Sequence, residues 1–361
     1  MRMCRLLVMV VIAAILAAAG GPSRADEEPA ILARYKTDRD GAVDKGLAYL
    51  AARQAPDGKP LAGSFMTSDN PAGQGNPGIT SLGVMAFLSK GHTPGTGPYG
   101  EVINRGIDFV ISTLNPATNT FGTSMYVHCI STLMISEVSG MVDPERQRKI
   151  DLVLPRAMGV IVRAQRVPKP AAHAGGWRYS PNSTDSDLSL TGWAVMALRS
   201  GRLNGAAIAK ESVDRATEFI LRCRMPDGGF CYQPGGVDGS GMVRTGIAVL
   251  CLELSGQHGH PAAIAGGEFI LRKQGIPNDV TTVGGRFYYG MYYCSQAMFQ
   301  LGGKYWESWA PWMYNTLIKR QRSDGSWPVE AGYEYTGTVY STSMAVLAMT
   351  VSCRQLPIYQ R

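Results

Sequence analysis

The sequence predicts an all-α fold, a toroid in which a ring of six inner helices lies within a ring of six outer helices. Three observations support this prediction. An apolar eight-residue segment recurs six times, an amphipathic helical pattern precedes it, and glycine-rich turns with an aromatic residue lie between the two. Copies recur about every 50 residues, which is enough for a helix pair with its loops.

The six apolar segments are the predicted inner helices. The fourth residue of each segment is Gly, Ser or Ala, and the spacings between them are 48, 63, 54, 49 and 48 residues. A small residue at a fixed helical position lets neighbouring helices approach closely, so we expect these helices to be packed on all sides. The segments begin at Thr80, His128, Thr191, Thr245, Cys294 and Thr342.

The outer helices are predicted from amphipathic patterns, in which apolar residues at three- and four-residue spacings lie opposite Lys, Arg and Asp. Examples lie at residues 42–54, 103–114, 213–224 and 313–322. Gly with an aromatic residue marks the turns at 175–179, 226–232, 284–289 and 323–328. Because an open solenoid needs distinct capping repeats and the last unit is as regular as the others, we predict a closed ring.

The predicted toroid is one domain, residues 41–355. Residues 26–40 form an N-terminal extension and residues 356–361 a C-terminal tail. Residues 1–25 are predicted to be a signal peptide, because Arg2 and Arg5 precede an apolar stretch too short to span a bilayer, and small residues precede Asp26. We therefore expect an exported protein, periplasmic or extracellular.

Composition limits the remaining functions. The chain is 45% hydrophobic and 17% charged, which fits a large buried core. Without residues 1–25 it holds 32 basic and 28 acidic residues, a balance too mild to indicate nucleic acid binding. The six cysteines beyond the signal form no CxxC, and we expect buried free thiols rather than disulfides. They are Cys129, Cys223, Cys231, Cys251, Cys294 and Cys353.

One turn carries a family resemblance. Gln321, Gly325 and Trp327 match the Q-x-x-x-G-x-W repeat of the squalene-hopene cyclase and protein prenyltransferase superfamily. Looser matches lie at Gln165 with Gly175-Gly176-Trp177 and at Gln54 with Gly58. The resemblance covers roughly residues 40 to 355 and implies a terpenoid cyclase-type (α/α)6 toroid with an isoprenoid ligand, whereas the same toroid also carries unrelated functions.

The start of the third inner helix resembles the D-x-D-D-T-A signature of class II terpene cyclases. Alignment on Asp185 and Asp187 makes Asp187 the acid that protonates an alkene. Alignment without a gap on Thr191 places Ser189 at that position, which leaves the acid motif incomplete. The residues alone also allow a structural interpretation, in which Asp185, Ser186 or Asp187 caps the helix.

The zinc site of the protein prenyltransferases is also incomplete in this chain. Asp238 lies in a stretch that resembles their V-D-G-C element, but Ser240 occupies the Cys position. Ser341 occupies the His position of their Y-H-T element. Since zinc prefers thiolate, imidazole and carboxylate ligands, we predict no metal and no cofactor.

Aromatic residues near the starts of the inner helices predict the wall of a central cavity, or alternatively aromatic packing at the rim of the ring. His128 begins the second apolar segment and is a candidate base or ligand, or else a structural residue. Arg244, with Glu330 or Glu334, would suit an acidic sugar. The predicted ligand-binding residues are Trp177, Trp193, His128, Asp238, Arg244, Tyr288, Tyr289, Tyr292, Tyr293, Tyr335 and Tyr340, with Tyr126 and Tyr333 in related places.

Three functions follow as hypotheses. The first is an exported toroid that binds a small apolar ligand, an isoprenoid, with any catalysis a cyclase-type isomerisation by Asp187 and Asp185. The second is an exported glycan-active lyase or hydrolase, and the third is a non-catalytic binding or scaffold module. The expected partners are the apolar ligand and a membrane surface, without nucleic acid.

Overall fold

The computed structural model describes residues 30–59, 61–65, 75–236, 238–275, 286–330 and 336–359. The chain divides into two compact regions, Met1–Arg34 and Tyr35–Arg361. In the first region, the described residues include one short helix, Ala30–Ala33. In the second, they form twelve α-helices of thirteen residues or more and only isolated β-bridges. None of the helices in the described ranges is both long and apolar enough to cross a membrane.

Outer and inner helices alternate along the second compact region, Tyr35–Arg361. The outer helices are α1 (Lys36–Ala52), α3 (Gly100–Ser112), α5 (Pro144–Arg166), α7 (Lys210–Arg222), α9 (Pro261–Lys273) and α11 (Gly303–Arg320). The inner helices are α2 (Pro77–Ser89), α4 (Met125–Val138), α6 (Leu188–Leu203), α8 (Met242–Leu254), α10 (Phe287–Leu301) and α12 (Gly337–Met349). Each outer helix with the inner helix that follows it is called a unit below, numbered one to six.

The inner helices close into a ring. Each packs against the inner helices before and after it, and α12 packs against α2. The first outer helix, α1, packs against α12 and α11 of the last unit. The prediction of a closed (α/α)6 toroid is therefore confirmed.

Burial follows the sequence patterns. Twelve of the thirteen residues of α2 are buried, as expected for a helix surrounded by others. The outer helix α7 buries one stripe, which includes Ala216, Phe219 and Ile220, and leaves its charged residues on the opposite face. Hydrophobic burial of these stripes, at about 25 cal/mol per Å² of apolar surface, holds the two rings together.

The Q-x-x-x-G-x-W turn connects neighbouring units. The Gln321 side-chain amide donates to the carbonyl of Gly325, at 2.9 Å, and to that of Ala42 in α1, at 2.8 Å. Gln165 does the same with Gly175 and with Ser212 in α7. Each glutamine thus joins its own turn to the next outer helix around the ring.

The aromatic residue of the turn joins the outer helix to the inner one. The Trp327 indole Nε1 donates to the carbonyl of Leu317 in α11, and its backbone amide donates to the Thr342 hydroxyl in α12. Trp177 makes the same two bonds, with Ile161 and Thr191. The threonine that begins an apolar segment therefore receives the amide of the aromatic residue.

Gly325→Ala is expected to lower the free energy of unfolding by about 3 kcal/mol or more. Gly325 has φ +88°, and an added Cβ would lie 2.4 Å from the backbone carbonyl oxygen of Lys45 in α1. The control is Gly58→Ala, at φ +74° with no atom within 4 Å of the added Cβ, which should cost about 1 kcal/mol. Equal losses for the two variants in urea unfolding would contradict this account of the turn.

Two predicted boundaries differ in the structure. The first outer helix begins at Lys36, five residues before the predicted start of the toroid at residue 41. The predicted C-terminal tail is packed, because Leu356, Ile358 and Tyr359 are buried. The Ile358 amide donates to the buried carboxylate of Glu137 at the end of α4, at 3.1 Å. Apolar residues in this short segment cover the C-terminal ends of the inner helices.

Candidate functional site

A cavity of about 370 Å³ lies at the N-terminal ends of the inner helices, and we call it the axial cavity. Most of its lining side chains are aliphatic or aromatic. The lining residues are Asn76, Gly78, Ile79, Leu82, Tyr126, Val127, Ile130, Tyr179, Trp193, Arg286, Tyr289, Thr336, Tyr340 and Met344. No carboxylate is among these described residues. A largely apolar wall of this kind suits a hydrophobic ligand.

The lining residues occupy recurring positions in the inner helices. The third residue of the apolar segment faces the cavity in four units, as Leu82, Ile130, Trp193 and Met344. Residues three or four positions earlier lie on the same helical face, and they supply much of the remaining wall. They include Gly78, Ile79, Tyr126, Val127 and Tyr340.

Aromatic rings form one side of the axial cavity. The Trp193 ring lies 6.4 Å from that of Tyr289, and the Tyr289 ring lies 4.8 Å from that of Tyr293, edge to face. The indole nitrogen of Trp193 and the hydroxyls of Tyr289 and Tyr293 are buried without a hydrogen bond of standard geometry. The indole of Trp193 and the ring of Tyr289 belong to lining residues, and their polar groups lie close to each other within the wall.

Tyr126 and Tyr179 continue the wall toward the third unit, and Tyr232 of the fourth unit contacts Tyr179. The rings of Tyr126 and Tyr179 are stacked with centroids 6.0 Å apart. The hydroxyls of Tyr179 and Tyr232 are hydrogen-bonded to each other. Burial raises the pKa of Tyr126 well above its usual value, and the nearby groups Tyr289 and Asp187 add to that rise.

Asp187 is the N-cap of α6, as the structural interpretation of the sequence predicted. Its Oδ1 accepts a hydrogen bond from the Leu190 amide at 2.8 Å. Its Oδ2 is buried, makes no hydrogen bond of standard geometry and lies 3.8 Å from Arg178 Nε. Burial raises the pKa of Asp187 to about 6, against the opposing effects of the Leu190 amide, Arg178 and the Tyr232 hydroxyl.

Asp187 lies behind the cavity wall rather than in it. Asp187 is not a lining residue. Its charge nevertheless raises the pKa values of Tyr126 and Tyr289, which both line the cavity. Ser189 lies one helical turn before Trp193 on the same face of α6, and its hydroxyl is buried without a hydrogen bond. The Ser189 side chain therefore points in the same direction as that of Trp193, whereas the Asp187 side chain caps the helix.

Asp185 forms an ion pair with Arg178. The Arg178 guanidinium lies 5.0 Å from the ring centroid of Tyr179 and 5.8 Å from that of Tyr232. Since Asp187 Oδ2 is 3.8 Å from the same guanidinium, Arg178 lies between the two carboxylates. The arginine holds the two aspartates and the two tyrosines in one cluster beside the axial cavity.

His128 has a structural place, which is the second of the two interpretations that the sequence left open, and it is not among the residues that line the axial cavity. It is fully buried, its Nδ1 accepts the Phe121 amide at 3.2 Å, and its Nε2 therefore donates to the Ala157 carbonyl at 3.1 Å. It thus accepts a hydrogen bond from the backbone amide of the turn's aromatic residue, as the hydroxyls of Thr191 and Thr342 do in their units. Both ring nitrogens are used in packing α4 against α5.

His128→Gln is expected to flatten the acid limb of the stability profile. Burial lowers the pKa of His128 to about 4 from its usual 6.5. The stability that this residue contributes is present above pH 6.5 and is lost as pH falls to about 4, by roughly 3 kcal/mol in total. Urea unfolding at pH 7, 5.5 and 4 measures it. If the free energy of unfolding fell equally in the variant and the wild type between pH 7 and 4, His128 would not be the source of the loss.

Other predicted ligand-binding residues also lie away from the cavity lining. Asp238 is exposed and pairs with Arg244, whose nitrogen is 3.5 Å from the carboxylate. Trp177 is buried in its turn through the bonds described above. Tyr288, Tyr292 and Tyr293 are buried in α10, where bulky aromatic side chains fill the ring interior, and Tyr292 bonds the hydroxyl of Tyr359 at 2.7 Å.

The last candidates are acidic residues and tyrosines of the sixth unit. Glu330 accepts the amides of Phe287 and Tyr288, each at 2.8 Å, so it caps α10 from another unit. Tyr335, Tyr333 and Glu334 lie outside the described residues. In the described ranges, no three or more His, Cys, Asp or Glu side chains lie together in a way that could hold a metal ion.

Comparison with known proteins identifies the fold. No protein-family model matches the chain, and no curated protein matches it. Among solved structures, the α-1,6-mannanase of Salegentibacter sp. HEL1_6 has 11% identity and a TM-score of 0.62, over 88% of this chain and 99% of that one. The type II terpene cyclase MstE of Scytonema has 11% identity and a TM-score of 0.59, over 89% of this chain and all of that one. The chain has the α/α toroid fold of both proteins.

These two neighbours carry different ligands on one fold. A variant of MstE was solved with its substrate, geranylgeranyl dihydroxybenzoate, at 12% identity and a TM-score of 0.57 to this chain. An inactive variant of the mannanase, with two aspartates replaced by asparagine, was solved with α-1,6-mannotriose. Because identities this low show the fold alone, the choice between such ligands must come from the chain's own cavity.

Proposed function

We propose that this protein binds an isoprenoid chain in the axial cavity. The observation that carries the proposal is the lining: among the described residues it is mostly aliphatic and aromatic, its polar groups are those of Arg286, Asn76, Thr336 and the ring substituents of its tyrosines and Trp193, and it includes no carboxylate. A glycan needs hydrogen-bonding partners along each sugar, whereas an isoprenoid gains about 0.8 kcal/mol for each CH₂ group removed from water. A volume of about 370 Å³ suits a small hydrophobic ligand.

Titration of the purified protein with geraniol, farnesol, geranylgeraniol and α-1,6-mannotriose tests this proposal. Trp193 lines the cavity, so tryptophan fluorescence should change on binding, and Trp193→Phe should remove most of the change. Affinity should rise with isoprenoid length until the cavity is full. Saturable binding of mannotriose with no response to any isoprenol would overturn the proposal in favour of the glycan alternative.

A second candidate function is acid-catalysed isomerisation or cyclisation of the bound chain by Asp187. Its raised pKa of about 6 and an Oδ2 that makes no hydrogen bond of standard geometry favour this candidate, because a neutral carboxyl group is needed to protonate an alkene. Its place behind Tyr126 requires that tyrosine to turn aside or to pass on the proton. Without turnover, the protein is a binding module.

A third candidate, glycan hydrolysis, is favoured by the two aspartates held by Arg178. Paired carboxylates on opposite sides of a sugar are what such a reaction needs. Here both lie on one side of the axial cavity and neither lines it. The isoprenoid proposal therefore fits the cavity better.

We also propose that the chain is exported, from the pattern of residues 1–25, which lie outside the described residues. N-terminal sequencing of the protein purified from its native host should then begin at Asp26. A mature chain that retains Met1 or begins within the apolar stretch would contradict cleavage at this place.

A further inference from the structure

Two cysteines face each other across the turn of the fourth unit. Cys223 follows the last residue of α7, and Cys231 follows the turn. Between them, Arg224 and Phe230 form an antiparallel β-bridge, and the Cys231 amide donates to the Cys223 carbonyl at 2.9 Å. Residues that lie opposite each other on antiparallel segments have Cα atoms about 4.5–5.5 Å apart, within the range of about 4.4–6.8 Å that a disulfide spans.

The two thiols are also neighbours. Cys231 Sγ lies 3.1 Å from the Cys223 carbonyl oxygen, and both side chains are buried. The effect of each thiol on the other is the largest influence on the two pKa values: it lowers the pKa of Cys231 to about 6 and raises that of Cys223. Cys231 is therefore the better nucleophile of the pair.

The turn itself does not require cysteine at these places. In the second unit, Leu114 and Phe121 form the equivalent bridge, and Thr113 and Gly122 occupy the positions of the two cysteines. Three other cysteines, Cys129, Cys251 and Cys294, are buried within inner helices, where burial raises their pKa values. Among the described cysteines, only the pair in the fourth unit combines opposed backbone positions with a thiol that lies against the partner's backbone.

We propose that Cys223 and Cys231 form a disulfide in the functional protein, with a small-molecule disulfide such as oxidised glutathione as the oxidant. The Cys231 thiolate attacks the glutathione disulfide, forms a mixed disulfide and releases one glutathione thiolate. The Cys223 thiolate then attacks the Cys231 sulfur and releases the second. Two cysteine thiols lose two protons and two electrons, and one glutathione disulfide becomes two glutathione thiols.

The bond would fix a residue of the candidate site. Tyr232 follows Cys231 directly, its hydroxyl bonds that of Tyr179 in the cavity wall, and its carbonyl accepts the Leu188 amide at the start of α6, at 2.9 Å. A cross-link at Cys231 limits local opening of this segment, since it removes conformations from the unfolded turn. This role does not depend on which ligand the cavity takes.

Peptide mapping tests the proposal. The purified full-length chain is equilibrated in oxidised and reduced glutathione, denatured with iodoacetamide and digested without reductant. The expected result is one peptide pair joined through Cys223 and Cys231, with Cys129, Cys251 and Cys294 alkylated. Alkylation of both Cys223 and Cys231 as free thiols would overturn the proposal.

Two variants complete the test. Cys223→Ser should leave Cys231 with a glutathione adduct and no cross-link, whereas the control Cys129→Ala should keep the cross-link. Dithiothreitol should lower the Tm of the wild type by about 3 °C and leave that of Cys223→Ser unchanged. An equal effect of dithiothreitol on both proteins would contradict the assignment.

Discussion

Ile79→Trp is expected to weaken geranylgeraniol binding by at least about 100-fold. Ile79 lies in the first turn of α2, is half-buried and lines the axial cavity. An indole at this place extends into space that the ligand needs, and the packed inner helices cannot move aside to restore it. The same fluorescence titration measures the loss, with competition by a fluorescent isoprenoid as a check on the added tryptophan.

Leu152→Trp is the matched control. It makes a similar aliphatic-to-indole change on α5, where the side chain is 63% exposed and does not line the axial cavity. Its affinity should equal that of the wild type. Both variants should unfold within a few degrees of the wild type, so a loss of binding reflects the cavity. Unchanged affinity in Ile79→Trp would show that the ligand binds elsewhere.

Asp187→Asn is expected to abolish any isoprenoid turnover, by about 1000-fold or more, while binding remains. Asn caps a helix as well as Asp does, so the bond to the Leu190 amide is retained and only the acid is lost. Product analysis by mass spectrometry with each isoprenol in turn measures the rate. Turnover equal to that of the wild type would remove Asp187 as the acid and leave the binding proposal intact.

The same variant should change the pH dependence of stability. The pKa of Asp187 is raised in the folded state, from 3.8 to about 6. Its contribution to stability is therefore fully present below pH 3.8 and is lost as pH rises through 6, by roughly 3 kcal/mol. Urea unfolding of Asp187→Asn at pH 4 to 7 should lack this loss. Asp185→Asn, at a partly exposed carboxylate, is the control and should keep it.

The fold could be predicted from the sequence because its signals are local and recur. The apolar segments, the amphipathic helices and the turn with Gln321, Gly325 and Trp327 each report contacts within a unit or with the next one. The closure of α12 on α2 followed from the regularity of the last unit. The C-terminal boundary was predicted less well, because Ile358 and Tyr359 belong to no helical repeat and their burial depends on the ends of the inner helices.

The candidate site could be predicted only in part. Trp193, Tyr289 and Tyr340 line the axial cavity as expected, and Tyr126 does as well. The aliphatic wall was missed, although the third place of four of the six apolar segments marks it, as at Leu82 and Met344. That signal requires the direction of the ring axis, which a single helix does not reveal.

His128 shows that a residue's chemistry alone leaves its role open. Its position at the start of an apolar segment was recognised, but the shared role of that position was not. Thr191 and Thr342 accept the amide of an aromatic residue there, and the histidine does the same through Nδ1. Similarly, the two carboxylates of Asp185 and Asp187 were found, but the guanidinium of Arg178 that holds them was not.

Photo-crosslinking tests the central claim most directly. A farnesol analogue with a diazirine on its terminal isoprene unit is irradiated with the purified protein, and labelled peptides are mapped by mass spectrometry. Binding in the axial cavity predicts labels within residues 76–82, 126–130 and 286–289, which excess geranylgeraniol suppresses and mannotriose does not. Labels confined to the outer helices, or suppressed by mannotriose, would contradict the claim.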